Sequence, residues 1–313
     1  MKIVVIDTDM SVDDLMAILY LLQRDDVSVK AITVTGTGLA HSAPGTKNAL
    51  NLLALAGNAE IPVACGRETP LACDHEFPAQ WRLETDNVYG APLPTNPNPP
   101  SEQTAVEKLI SVTKSSPQKM TLLALGPLTN IAEALQADPA FADNLAMICV
   151  MGGAVDVPGN LQVPGVNIDN AVAEWNIYAD PHAAAIVLES GAPVTLVSLD
   201  ATNSVPITMD FYRCLETNSV TPEANFVYQL FALNQDFIQS GRYFFWDPLA
   251  AAIAVDESLA IIQTRTLRVI TEEGPESGRT LPTEDGSSIR VCKSADGNRF
   301  VDVFLNTLNG RVL

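Results

Sequence analysis

The chain has 313 residues, 47% of them hydrophobic, and a formal net charge of −19 at pH 7. This length and hydrophobic content suffice for a globular protein with a large core and exclude an intrinsically disordered chain. The strongly acidic balance argues against nucleic acid or an anionic membrane as a partner, whereas it is compatible with a bound cation and a neutral small-molecule substrate.

The five cysteines are widely spaced, and none belongs to a CxxC pair. An odd number with this spacing disfavours a disulfide framework or a zinc cluster and fits a reducing compartment. A first strand that begins at residue 2 leaves no room for a signal peptide. No uncharged apolar run reaches the ~18 residues of a transmembrane helix. We therefore expect a cytoplasmic protein outside the membrane.

In chain order, the first predicted element is a buried strand over Lys2–Ile6, an apolar run rich in β-branched residues. An acidic loop follows, with the sequence Asp7-Thr8-Asp9-Met10-Ser11-Val12-Asp13-Asp14. A largely buried helix is predicted next, over Leu15–Leu22. Four carboxylates thus lie at the carboxyl end of a strand, where open α/β sheets place their ligand crevices.

These four carboxylates repel one another at pH 7 unless a positive group lies among them. No Lys or Arg lies between Lys2 and Arg24, so a hard divalent cation such as Ca²⁺ or Mg²⁺ is the simplest neutralising group. The alternative is helix capping, in which Asp13 and Asp14 favour the positive end of the helix dipole. Capping accounts for one or two carboxylates but not for four, and we therefore favour a metal site.

Strands and helices then alternate, which is the pattern of a parallel sheet built from βαβ units. Further strands are predicted over Val29–Thr35, Met120–Leu125, Leu145–Met151 and Pro193–Leu199, and helices over Ala49–Ala56, about 102–115 and about 207–240. Residues 259–304 alternate in a β pattern, and a C-terminal helix is predicted from about Asn298. We predict an open, mostly parallel α/β sheet flanked by helices, with a small β-rich C-terminal addition, in a single domain over residues 1–313.

Two irregular segments carry candidate binding residues. Residues 66–100 are rich in proline and are predicted to form a long loop; Trp81 in this loop either packs onto the protein or covers a planar ligand, and the residues alone favour packing. A later polar loop carries Asn160, Glu174 and Asn176, whose side chains suit sugar hydroxyls. Glu174 and Asn176 alternate with apolar residues, which predicts that they share one face.

Taken together, these segments resemble the nucleoside hydrolases (nucleoside N-ribohydrolases), whose N-terminal motif is DxDxGxDD. Ser11 replaces the glycine of that motif. The other matching segments are Leu125–Asn130, Met151–Ala154, Glu174–Pro181 and the helix-opening Asp247. The resemblance implies the nucleoside hydrolase fold with its Rossmann-like core. It also implies hydrolysis of the N-glycosidic bond of ribonucleosides to free base and ribose.

The resemblance also implies site residues and an assembly. A Ca²⁺ ion would be held by Asp9, Asp14, Asp247 and the backbone carbonyl of Leu125. Asp9 would take a proton from the attacking water, and Asp7 would support the site from behind. The implied sugar-binding residues are Asp13, Met151, Asn160, Glu174 and Asn176. Relatives are dimers or tetramers, so we expect a homodimer or a homotetramer.

The segments around Trp81 and Trp246 look most like the purine-specific inosine-adenosine-guanosine branch of the family. That branch places one tryptophan at each position, on either side of the base. This implies purine nucleosides as substrates and reverses the preference for packing at Trp81. Many relatives have a histidine where this chain has Trp246, so stacking is expected to ease protonation of the leaving base and is worth about 1–3 kcal/mol.

The chain departs from the family pattern at Ser11, at Gly38 and in the longer loop between Asn160 and Glu174. Relatives place Asn or Asp near Gly38 against the ribose, so one sugar contact is expected to be missing. These departures leave hydrolysis of a different N-riboside, or of a nucleoside with a modified base, as an alternative. One alternative is a haloacid-dehalogenase-like phosphatase, because Asp7-Thr8-Asp9 after a strand imitates the DxD motif of that class. Ser11 and the pair Asp13-Asp14 fit the rest of its motif poorly. A second is a sugar-binding protein without turnover, against which the complete set of predicted ligands argues.

Overall fold

The centre of the molecule is one mixed sheet of nine strands, seen in a computed structural model that describes residues 1–311. The strands are β1 (Lys2–Thr8), β2 (Val27–Val34), β3 (Val63–Cys65), β4 (Met120–Ala124), β5 (Leu145–Met151), β6 (Val194–Val197), β7 (Ala260–Val269), β8 (Thr280–Pro282) and β9 (Ser287–Ala295). Their order across the sheet is β3-β2-β1-β4-β5-β6-β9-β7-β8.

The sheet is parallel over most of its width. Strands β1 to β6 pair in parallel, and β9 joins β6 in parallel as well. Strand β7 pairs antiparallel with β9 and β8 and forms the β-rich C-terminal addition. Central strands such as Val4–Ile6 are fully buried, as expected where helices cover both faces. The predicted fold class is therefore confirmed.

Helices supply the crossovers that parallel strands require. They are α1 (Val12–Leu22), α2 (Ser42–Leu55), α3 (Ala79–Asp86), α4 (Ala105–Ser115), α5 (Thr129–Ala137), α6 (Trp175–Ala179), α7 (Pro181–Glu189), α8 (Leu199–Thr202), α9 (Met209–Asn218), α10 (Pro222–Leu233), α11 (Gln235–Gln239), α12 (Trp246–Val255) and α13 (Gly297–Leu308), with 3-10 turns at Val88–Gly90, Ala142–Asn144 and Glu257–Leu259. None of the helices within residues 1–311 is both long and apolar enough to span a bilayer.

Two local expectations were wrong, and one short strand was not predicted. Helix α2 begins at Ser42 instead of Ala49, because Pro44 lies in its first turn, where a missing N–H leaves no hydrogen bond unmade. The segment 66–100 is not irregular throughout, since α3 begins directly after Pro78. Strand β3 is only three residues long and pairs with β2 alone, and so short an apolar run carries little periodicity.

The sheet brings the predicted site segments to one edge. Strands β1, β4 and β5 are neighbours, and the register places Asp7 beside Ala124 and Ala124 beside Val150. Because the strands are parallel, the residues that follow them lie at the same edge of the sheet. This places the acidic loop next to Leu125 and the residues after Met151.

Candidate active site

The acidic loop between β1 and α1 turns at Met10, which is buried and has a φ of 59°. This left-handed conformation is uncommon for a residue other than glycine and marks local strain. Ser11 has a φ of −63° and therefore needs no glycine. Its backbone N–H and its hydroxyl both donate to Asp14 Oδ2, at 3.0 and 2.7 Å. The departure from the family motif at Ser11 thus leaves the turn intact.

Three carboxylates converge where α1 and α12 begin. One oxygen each from Asp13, Asp14 and Asp247 lies within 4.8 Å of the other two. Helix α12 packs against α1 and brings Asp247 to the acidic loop, although 233 positions of sequence separate Asp247 from Asp14. Asp9 also contacts Asp14, while its own Oδ2 accepts a hydrogen bond from the N–H of Leu39 at 3.0 Å.

The electrostatics of this cluster favour a bound cation. Burial raises the pKa of Asp9 and of Asp247 well above the ordinary value, and the neighbouring carboxylates raise both further. Burial and Asp14 raise the pKa of Asp13 to about 6. Within residues 1–311, no Lys, Arg or His nitrogen lies within 4.0 Å of these side chains. Buried oxygen donors without a positive partner fit a hard divalent cation.

Asp7 lies beside this cluster but bonds elsewhere. Its Oδ1 accepts from Thr33 Oγ1 and, at 2.8 Å, from Asn130 Nδ2, whereas its buried Oδ2 accepts no hydrogen bond from any residue in the described range 1–311. Burial raises the pKa of Asp7 to about 7. The backbone carbonyl of Asp7 accepts from the N–H of Leu125 at 2.9 Å. Asp7 thus ties β1 to β4 behind the acidic loop.

Glu174 is the N-cap of α6, so the prediction that Glu174 and Asn176 share one face through alternation was wrong. Its carboxylate accepts from the backbone N–H groups of Gly153 (3.1 Å), Asn176 (3.0 Å) and Ile177 (3.2 Å). A carboxylate that accepts from two N–H groups of the first helical turn, those of Asn176 and Ile177, overrides the period-2 pattern and starts a helix. Burial raises the pKa of Glu174 to about 7 despite these bonds.

Asn176 connects α6 to the ends of β4 and β5. Its Nδ2 donates to the carbonyls of Leu125 (3.0 Å) and Met151 (3.2 Å) and lies 3.6 Å from Met151 Sδ. Asn160 joins the same helix, because its Oδ1 accepts from the N–H of Trp175 at 3.1 Å. The structure therefore brings the predicted sugar-binding residues of the polar loop to the sheet edge that carries Leu125.

The two predicted base-stacking tryptophans lie in separate aromatic clusters. Trp81 packs edge-on against Trp175, with ring centroids 5.5 Å apart. Trp246 packs against Tyr243 at 5.8 Å, and its buried Nε1 lacks a hydrogen-bond partner among residues 1–311. No ring contact joins Trp81 to Trp246 in the part of the chain that the structure describes. Trp81 thus makes the packing contact that its residue type favoured.

Tyr89 and Tyr243 lie near the acidic cluster but were not predicted as site residues. Burial raises the pKa of Tyr89 and Tyr243 well above the ordinary value, and the nearby Asp13 raises both further. In the part of the chain that the structure describes, the buried hydroxyl of Tyr243 has no hydrogen-bond partner. Tyr243 opens the aromatic run before Asp247, which was a signal for a site residue, whereas nothing in the sequence marked Tyr89.

Gly38 leaves the space that Asp9 occupies. A Cβ at this position would lie 2.2 Å from both Cβ and Oδ2 of Asp9, far inside van der Waals contact. The resemblance implies that Asp9 takes a proton from the attacking water. We therefore expect Gly38→Ala to displace the Asp9 side chain and to lower kcat for ribonucleoside hydrolysis by about 100-fold, because misplacement of a reacting group by ~1 Å costs about that much. Steady-state kinetics on the variant measures the effect.

The control for that variant is Gly297→Ala in the first turn of α13. A Cβ there meets its nearest neighbour, Val205 Cγ2, at 3.3 Å, which asks for a shift of a few tenths of an ångström, far less than the overlap at Gly38. Wild-type kcat in a folded Gly38→Ala protein would contradict the close fit of Asp9 against Gly38.

Comparison with known proteins gives a consistent family match. The sequence profile described as inosine-uridine preferring nucleoside hydrolase matches residues 4–302. A probable uridine nucleosidase 2 of Arabidopsis thaliana is 37% identical over 67% of this chain, and that match spans 62% of the plant protein. The pyrimidine-specific ribonucleoside hydrolase RihA of Salmonella arizonae is 30% identical over 97% of both chains. The solved purine-preferring ribonucleoside hydrolase of Gardnerella vaginalis is 27% identical, covers 99% of this chain and 98% of its own, and superposes with a TM-score of 0.83.

Proposed function

This chain belongs to the family of inosine-uridine preferring nucleoside hydrolases, which are N-glycosyl hydrolases, and on that basis we propose that it hydrolyses the N-glycosidic bond of ribonucleosides to free base and ribose. The observation that carries the proposal is the buried convergence of Asp13, Asp14 and Asp247 beside Asp9 at the sheet edge. So concentrated a negative charge suits a reaction that develops positive charge on the sugar.

The cation of the site is proposed to be Ca²⁺, held by Asp9, Asp14, Asp247 and the carbonyl of Leu125. The convergence of the Asp13 carboxylate with those of Asp14 and Asp247 makes Asp13 either a further ligand or a sugar partner. When bound, a divalent cation orients the sugar hydroxyls and lowers the pKa of water, so that a nucleophile is available near neutral pH.

Asp9 is proposed to accept the proton of the attacking water. The water oxygen bonds to C1′ of the ribose, the bond from C1′ to the base nitrogen breaks, and the electron pair leaves with the base. The N–H of Leu39 holds Asp9 Oδ2 at 3.0 Å, which fixes the carboxylate in one orientation. A positioned carboxylate base contributes about 100- to 10,000-fold to such a step.

The ribose is proposed to bind between the acidic loop and α6, against Asp13, Met151, Asn160, Glu174 and Asn176. The Nδ2 of Asn176 is held by two carbonyls, so its Oδ1 is left to accept from a sugar hydroxyl. The three backbone donors to Glu174 fix its carboxylate in the same way. Prearranged groups of this kind lose little entropy when the sugar binds.

Purine nucleosides are the proposed substrates, because Trp81 and Trp246 stand at the positions of the purine-specific branch. The names of the Arabidopsis and Salmonella relatives favour pyrimidine nucleosides instead, so the base preference is tested separately from the reaction itself. Release of free base from inosine, guanosine, adenosine, uridine and cytidine, with product ribose quantified, tests both. Release from no ribonucleoside would refute the proposed reaction, whereas a pyrimidine preference would refute only the choice of base.

Trp81→Leu provides a separate test of base stacking. One lost stacking contact is worth about 1–3 kcal/mol, so we expect kcat/KM for the preferred purine nucleoside to fall by about 5- to 150-fold. Leu83→Ala is the control, since Leu83 lies on α3 as well and is 54% exposed. Unchanged kcat/KM in Trp81→Leu would mean that Trp81 serves only to pack against Trp175.

Assembly as a homodimer or homotetramer and a cytoplasmic location stay predictions. Sedimentation of the purified protein tests the first.

A further inference from the structure

A second cluster of metal-ligating side chains lies outside the acidic loop. Cys73 and His75 come from the segment between β3 and α3, and Glu273 comes from the loop between β7 and β8. One ligand atom from each of the three lies within 4.8 Å of the others. Cys73 Sγ also lies 3.7 Å from the carbonyl of Ala179 at the end of α6. Three distant parts of the chain therefore meet here.

The hydrogen bonds of His75 determine which ring nitrogen is available. Nδ1 lies 2.6 Å from the carbonyl oxygen of Tyr178. A carbonyl only accepts, so Nδ1 carries a hydrogen and donates it. The ring also stacks on Tyr178, with centroids 4.0 Å apart and planes 10° apart. This orientation of a ligand histidine by a backbone carbonyl is the arrangement that metal sites commonly use.

The other nitrogen of His75 faces a negative group. Nε2 lies 3.0 Å from Glu273 Oε2, and Cys73 Sγ lies within 4.8 Å of a ring nitrogen of His75 and of a carboxylate oxygen of Glu273. Two lone pairs do not approach to that distance without a positive charge between them. The positive group is either a proton held by Nε2 or by the Glu273 carboxylate, or a metal ion.

We propose that Cys73 Sγ, His75 Nε2 and the Glu273 carboxylate form a binding site for a transition-metal ion of the zinc class. One sulfur, one imidazole nitrogen and one carboxylate oxygen form a donor set that zinc accepts and that Ca²⁺ does not favour. The Glu273 side chain is 63% exposed, so solvent water completes the tetrahedral set. The site is separate from the oxygen-only acidic cluster and does not depend on the proposed reaction.

The bound ion would join the segment before α3 to the C-terminal hairpin. Phe77, two residues after His75, stacks on Trp175 at 4.8 Å. Trp175 in turn contacts Trp81. An ion at Cys73 and His75 therefore restrains the chain that leads into the proposed base pocket. The wide cysteine spacing that argued against a zinc cluster does not reveal this site, because Glu273 lies 198 positions from His75.

Cobalt absorption distinguishes this site from the acidic cluster. Protein stripped with a chelator and then saturated with Ca²⁺ is titrated with Co²⁺, and the near-ultraviolet thiolate-to-cobalt charge-transfer band is followed. We expect the band in the wild type, its loss in Cys73→Ser and its displacement by Zn²⁺. Cys65→Ser is the matched control, because Cys65 is also a half-buried free cysteine; it should retain the band.

Absence of the band in the wild type, or its persistence in Cys73→Ser, would overturn the proposal and leave a proton between His75 and Glu273. If Cys73→Ser fails to fold, Glu273→Gln replaces it, since Glu273 lies in an exposed loop. We expect that variant to weaken Zn²⁺ binding by at least about 10-fold, as measured by competition with a chelating dye. Unchanged Zn²⁺ affinity would equally overturn the proposal.

Discussion

Replacing Asp9 by asparagine is expected to lower kcat for ribonucleoside hydrolysis by about 1,000-fold. An amide does not accept a proton near neutral pH, and loss of a positioned base lies within about 100- to 10,000-fold. The loss should appear in kcat as well as in kcat/KM, since the proton moves in the transition state. Single-turnover measurements separate this effect from slow product release.

Destabilisation of the folded protein would not explain this loss of activity, because burial already disfavours the charged form of Asp9. The metal-free Asp9→Asn protein should therefore be at least as stable as the metal-free wild type. Asp25→Asn, at an exposed turn residue, is the matched control and should keep full activity. A folded Asp9→Asn enzyme whose kcat lies within about 10-fold of the wild type would rule out Asp9 as the base.

The metal-free protein is expected to become less stable as the pH rises from 5 to 8, by on the order of 6 kcal/mol. Burial raises the pKa of Asp7 and Glu174 to about 7 and that of Asp13 to about 6, above the values near 4 of the unfolded chain. At pH values between the unfolded-state pKa and the folded-state pKa of each carboxyl group, the folded state binds more protons than the unfolded state. The free energy of unfolding therefore falls with pH until the folded-state pKa is passed.

Urea unfolding in EDTA across this pH range measures the effect, and Asp7→Asn provides its control. The asparagine Oδ1 keeps the hydrogen bonds from Thr33 and Asn130 but does not titrate. The free energy of unfolding of Asp7→Asn should therefore depend less steeply on pH than that of the wild type, by the contribution of one proton. A metal-free wild type whose stability rises from pH 5 to 8 would contradict the raised pKa values of these carboxylates.

The sheet and the acidic loop could be predicted because their signals are local. An apolar strand, a loop of carboxylates and an apolar helix follow one another within 22 residues. Parallel pairing then places the ends of β1, β4 and β5 side by side, which follows from topology alone. The sequence did not show why serine can replace the motif glycine at position 11. The structure shows that the positive φ of the turn falls on Met10 and not on Ser11.

Contacts between distant segments could not be predicted in the same way. The capping bonds of Glu174 turn an alternating pattern into α6. The packing of Trp81 on Trp175 joins α3 to α6, and the two residues lie more than 90 positions apart in the sequence. The meeting of Cys73 and His75 with Glu273 depends on the C-terminal hairpin. Sequence periodicity records burial along one element and carries no information about such encounters.

The most direct test of the account is a Ca²⁺ titration of chelator-stripped protein in which bound Ca²⁺ and base release from inosine are measured in the same samples. We predict no detectable release without Ca²⁺, and activity that rises in proportion to the occupancy of one site per chain. Asp247→Asn should weaken that site and shift both curves together. Full base release in stripped protein, or Ca²⁺ binding that leaves activity unchanged, would contradict the assignment of the acidic cluster as the catalytic metal site.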